Sequence, residues 1–219
     1  VAAADVTAVP FGAEVVGVVG ESDGPRAMTA AAVTPLGFGP LPVAADNSTL
    51  PSFPPIGNQG GLGSCASFST TYYQLTHMTG LARGWTTSGG DPQVIFSPKW
   101  TYNMINGGND SGSSIYGAIG LFIKHGACRW GEFPYDGDYR AWCRDGDVWR
   151  RAIQCRIPAT GSISGLDTPN GLNVLKQLLV NGYVLTFATY VSSWQFASVV
   201  QNTDSSADDP YVGQTICYY

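Results

Sequence analysis

Apolar positions recur at helical spacing in four places along the 219 residues, and each place has its own start signal. Phe68, Tyr72, Leu75 and Met78 follow Ser64, which can cap, and Gly80 is expected to stop the run. Ser97-Pro98 opens a second helix, with Ser as the cap and Pro at the first position, closed at Asn106-Gly107. Ser114 opens a third that reaches about His125, with Ile115, Ala118, Ile119, Phe122 and Ile123 on one face and Gly126 as its stop. Thr168-Pro169 opens a fourth, carrying Leu172, Leu175, Leu178 and Leu179 and ended by Asn181-Gly182. The run Tyr183 to Tyr190 is rich in β-formers and reads as a strand. Residues 1 to about 45 are rich in Ala, Val, Pro and Gly, and Gly37-Phe38-Gly39-Pro40 with Pro42 breaks any period there.

The chemistry concentrates at the first helix start. In Asn58-Gln59-Gly60-Gly61-Leu62-Gly63-Ser64-Cys65-Ala66-Ser67-Phe68-Ser69 one cysteine stands where a loop turns into a helix. The partial positive charge at a helix N-terminus favours the thiolate, which is the nucleophilic form of a cysteine. The upstream glycines carry no side chains, so an extended substrate backbone can approach the sulfur closely at Gly63 and Ser64. Gln59 supplies an amide N–H suited to an oxyanion.

These residues resemble the nucleophile motif of the papain-like cysteine peptidases, with its Asn-Gln-Gly run, Gly-Ser-Cys, small residue, Phe and Ser. Two positions depart from it: Leu62 stands where the family has a structural cysteine, and Ala66 where it has Trp. The resemblance implies an α+β papain-like fold, the helical subdomain followed by the beginning of an antiparallel β-barrel subdomain. It also implies Cys65 as nucleophile, Gln59 as the oxyanion-hole side chain, and a glycine-bearing segment that pairs with substrate backbone before the third helix. Gly112 is the best match for that segment, with Gly107 and Gly108 as alternatives. Glu132-Phe133-Pro134-Tyr135 is similar to a further landmark turn of the family. The family-like region begins near Asn47, which leaves residues 1–46 as an N-terminal extension or the remnant of a prosegment, in the manner of a zymogen.

Composition narrows the partners. Charged residues make up only 12% of the chain, about half the usual share, net charge is −5, and there is no basic run. A peptide or protein substrate fits this balance, and nucleic acid does not. No apolar stretch approaches the roughly 20 residues of a membrane span. Val1 to Ala4 lacks the basic start and long apolar run of a signal peptide, so a secreted or extracellular chain would already have lost its signal. Five cysteines divide into Cys65 and four others, Cys128, Cys143, Cys155 and Cys217; the even remainder suits two disulfides in an oxidising compartment. Asp136-Gly137-Asp138 and Asp145-Gly146-Asp147 read as solvated turns rather than calcium loops, and His125 with Cys128 lacks a companion pair. No metal or other cofactor is expected. The sequons Asn47-Ser48-Thr49 and Asn109-Asp110-Ser111 are too short a signal to build on.

A thiol peptidase of this type needs an imidazole beside the sulfur and a group that orients it. The chain has two histidines. His77 follows Cys65 by twelve residues on one helix, roughly 18 Å along the axis. His125 sits at the end of the third helix, where a helix C-terminus favours a partly charged ring. The family spacing puts the catalytic His and Asn about 130 to 150 residues past the cysteine, at about 195 to 215, and that stretch has no histidine. The expectation is therefore that both residues lie beyond Tyr219, on a missing segment or a second chain that completes the barrel. A papain-like peptide-binding domain without its base is the alternative.

Overall fold

The computed structural model describes residues 40–158, 160–163 and 165–188, together with the backbone of two short strands at 27–28 and 216–218. Helix α1 (Cys65–Ser67) runs directly into a π-helical stretch, Phe68–Leu75, and then into α2 (Thr76–Arg83). Side-chain hydroxyls explain the wide turns. Ser69 and Thr70 both donate to the Ala66 carbonyl, at 3.0 and 2.7 Å, and Thr76 donates to the Thr71 carbonyl at 3.3 Å. These bonds compete for carbonyls that regular α-helical amides would use, and they displace the register.

Two of the sequence signals for this helix are corrected. Gly80 does not stop it: the helix continues to Arg83 and ends at Gly84, whose φ of +65° places it in the left-handed cap region. Gly80 is small for a different reason, since a Cβ there would lie 3.1 Å from the Ser52 Cβ of the strap that crosses it. Ser64 does not cap either; its hydroxyl pairs with the Tyr135 hydroxyl at 2.6 Å.

Helices α3 (Pro98–Ile105), α4 (Ile115–Lys124) and α6 (Pro169–Val180) follow their local signals. The hydroxyls of Ser97, Ser114 and Thr168 accept from the amides of Trp100, Gly117 and Gly171. Between α4 and α6 lies α5 (Gly146–Ile153), where the sequence suggested a turn. Asp145 is its N-cap, accepting from Asp147 N at 2.8 Å, and Val148 and Ala152 bury one face. Around α3, α4 and α5 sits the main core, which includes Leu75, Phe96, Trp100, Ile119, Phe122 and Cys128.

Strand β1 (Ala27–Met28) pairs in parallel with β2 (Gly161–Ile163), which pairs antiparallel with β3 (Ile216–Tyr218). The described residues contain no barrel. Tyr183 to Ala188 does not form a regular strand, contrary to its composition, and the rest of that run lies outside the described residues. β propensity reflects packing beside a partner strand. In Tyr183 to Ala188 only Thr186 makes a β-bridge, and Gln74 also holds the segment: its side-chain amide donates to Val184 O at 3.1 Å and accepts from the Thr186 hydroxyl at 2.8 Å. The expected disulfides are not formed among the described residues: Cys128, Cys143 and Cys155 are free thiols, and the Cys217 side chain lies outside the description.

His77 ties three segments together. It is fully buried, with Nε2 2.6 Å from Gly182 O and Nδ1 3.2 Å from Ser52 Oγ. A neutral ring that donates from Nε2 and accepts at Nδ1 satisfies both partners. Burial, only partly opposed by these bonds, pulls its pKa below 6.5. The stabilisation is full above about pH 6.5 and is lost as pH falls through the lower folded value. A proton NMR titration of the His77 ring should give a midpoint below 6.5; a midpoint at or above it would show that the ring is not buried in neutral form.

Candidate active site

Cys65 is the first residue of α1 and is exposed, whereas its helix neighbours Ala66 and Ser67 are buried. It lines a cavity of about 710 Å³. One wall comes from the helix, through Ala66, Ser69, Tyr73 and Gln74. The second comes from the loop and start of α4, through Ser113, Ser114, Ile115 and Tyr116, and the third from Val184 to Ala188. Ala66, which departs from the resembled motif, therefore faces open volume.

The loop before Cys65 is glycine-rich and is held by contacts from outside it. Gly57 N donates to the Tyr73 hydroxyl at 2.9 Å. Tyr135 donates to Gln59 O at 2.8 Å and accepts from the Ser64 hydroxyl. Tyr135 is itself fixed by its neighbour Asp136, which pairs with the buried Lys99 of α3 at 2.5 Å. Gly63 N donates to Asp110 Oδ1 at 2.8 Å, and the same oxygen accepts from the Tyr102 hydroxyl. The Gln59 side chain folds back over the loop, with Nε2 donating to Leu62 O at 2.9 Å. That bond uses one of the two amide protons, and Gln59 is not among the residues that line the Cys65 cavity.

Gly112 abuts the nucleophile loop: a Cβ on Gly63 would lie 2.9 Å from Gly112 N. Gly107 and Gly108 instead follow the C-cap of α3, where Gly108 N donates to Asn106 Oδ1; none of Gly107, Gly108 and Gly112 lines the cavity, which begins at Ser113 on this segment. Ser64 is fully buried, backbone included, and does not line the cavity. Sequence reading passed over Asp110 and Tyr102, and it noted Tyr135 only as a landmark. Their contacts join residues 8 to 76 positions apart, which no local pattern encodes.

Burial separates the other groups from the chemistry. It pushes the Cys128 thiol far up, so that cysteine is an inert core residue. It also pushes the Tyr102 hydroxyl up to about 12, with the Asp110 carboxylate adding to the effect. Neither histidine lines the cavity. His77 is committed to Ser52 and Gly182, and His125 caps α4 with its ring edge-on to Trp149.

No family model and no curated protein matches the chain. Among solved structures it is similar to the digestive procathepsin L 3 of Tenebrio molitor larval midgut, with a TM-score of 0.50 and 19% identity over 65% of this chain and 42% of that one. The fold is papain-like over that span. Xylellain, a cysteine protease from Xylella fastidiosa, is similar at a TM-score of 0.49 and 19% identity over 65% of this chain and 55% of its own. The chain thus spans about half the length of these structures or less. Among the described residues, no helix is long and apolar enough to cross a membrane.

Proposed function

We propose that the protein is a secreted papain-like cysteine peptidase, with residues 47–219 as the nucleophile-bearing part of its domain and residues 1–46 as an extension or prosegment remnant. One observation carries the reading: an exposed cysteine opens a helix at the edge of a cavity, directly after the glycine-rich Gln59 loop that Gly112 abuts at Gly63. In this reading the Cys65 thiolate attacks a peptide carbonyl carbon, and the oxygen takes up the electron pair beside the Cys65 N–H and the Gln59 amide. The amine leaves with a proton from an imidazolium, and water then releases the acid and restores the thiol. The imidazole must come from outside the 219 residues, since His77 and His125 are both engaged elsewhere. The alternative reading is a peptide-binding domain of papain-like fold that lacks its histidine.

Gln59→Ala should lower kcat by roughly 10-fold to 1000-fold in a peptide-hydrolysis assay, the range for loss of one oxyanion donor. An unchanged rate would remove Gln59 from the site.

A further inference from the structure

We infer that Asp110 and Tyr102 are positioning residues that lock the oxyanion loop and the substrate-pairing glycine into one rigid unit. The inference rests on the peptidase reading above. Four glycines, Gly57, Gly60, Gly61 and Gly63, leave the loop before Cys65 with little stiffness of its own. Of the external groups that bond its backbone, the one nearest the nucleophile is Asp110, whose Oδ1 accepts from the Gly63 N–H only two residues before Cys65. Asp110 belongs to the same short loop as Gly112. Its carboxylate also accepts from the hydroxyl of Tyr102, a fully buried side chain on α3.

Hydrogen bonds therefore run from Gly63 through Asp110 to Tyr102, whose hydroxyl lies 3.3 Å from where a Gly63 Cβ would stand. The two backbones are also in direct contact, because Gly63 has no room for a Cβ against Gly112 N. A shift of one segment must carry the other. The donors that stabilise the oxyanion and the backbone that aligns the peptide then keep one spacing, as rate acceleration by orientation requires. Asp110 is exposed, so its carboxylate bears little desolvation cost, while the buried Tyr102 hydroxyl gains the partner it needs.

The test uses the full protein with Asp110→Ala, Asp110→Asn and Tyr102→Phe, read by peptide hydrolysis and by amide hydrogen exchange across residues 58–65. Asp110→Ala and Tyr102→Phe should each lower kcat and raise KM, and loop exchange should quicken by about 10-fold, the scale of one lost charge-assisted hydrogen bond. Asp110→Asn keeps an acceptor oxygen in the same place and should recover most of both. Alkylation of Cys65 by iodoacetamide, which needs no aligned peptide, should be unchanged. Unaltered exchange and kinetics in Asp110→Ala would overturn the inference, and so would faster exchange spread evenly through α3 and α4. Absence of hydrolysis by the unsubstituted protein would instead overturn the peptidase reading, and the loop exchange would still decide whether the clamp exists.

Discussion

Cys65→Ala is expected to abolish peptide hydrolysis, by roughly 10,000-fold or more, and to leave the folded state intact. The size follows from the chemistry, because without a thiolate no acyl-enzyme forms and the oxyanion donors act on water alone. The intact fold follows from position. Cys65 is exposed and belongs to none of the three core clusters, so truncation removes one sulfur without opening a cavity. Activity assays and thermal unfolding on the same preparation check both halves. Loss of fold would make Cys65 a structural residue, and retained hydrolysis would place the nucleophile elsewhere.

Gly126→Ala should be the most damaging single change to the helical region. Gly126 has a φ of +67°, where a side chain costs about 1–2 kcal/mol. A Cβ there would also lie 1.9 Å from the carbonyl oxygen of Ala152 and 3.0 Å from Arg156 N. Both neighbours are backbone atoms at the end of α5, so relief requires moving that helix away from α4. The same glycine carbonyl accepts from Trp100 Nε1 at 3.2 Å, and a shift would break that bond beside the main core. We expect a loss of roughly 4 kcal/mol or more, seen as a fall of about 10 °C or more in Tm. Gly120, six residues earlier and inside α4, has nothing within 4 Å of its Cβ position. Gly120→Ala should therefore stabilise by about 0.5–1 kcal/mol. Equal effects at the two glycines would contradict the packing described between α4 and α5.

The contrast between these glycines shows where sequence reading held and where it did not. Ser97-Pro98, Ser114 and Thr168-Pro169 were legible as helix starts because a cap acts within three residues of itself. Gly126 was legible as a stop for the same reason, although its contact with α5 was not. Gly80 misled because its smallness serves the Ser52 strap, a contact made across the fold, and Ser64 misled because Tyr135 claims its hydroxyl. Helix α5 was missed because Asp145-Gly146-Asp147 has the composition of a turn, and only the burial of Val148 and Ala152 makes it a helix start. The papain-like fold was legible from one local motif, whereas the barrel and the disulfides that the motif and the cysteine count implied are not found among the described residues. At the candidate site, Cys65 and Gln59 stood out because their spacing is local. Asp110, Tyr102 and Tyr135 did not, because they hold the loop from other segments.

In the proposed reading Cys65 is the thiol that reacts with a peptide carbonyl, while Cys128 is buried in the core. Treating the intact protein with a peptidyl epoxide and mapping the adduct by mass spectrometry tests it most directly. A single adduct on Cys65 is expected, suppressed by a competing peptide and absent in Cys65→Ala. No adduct, or adducts shared with the partly exposed Cys155, would contradict it and leave a papain-like binding domain in its place.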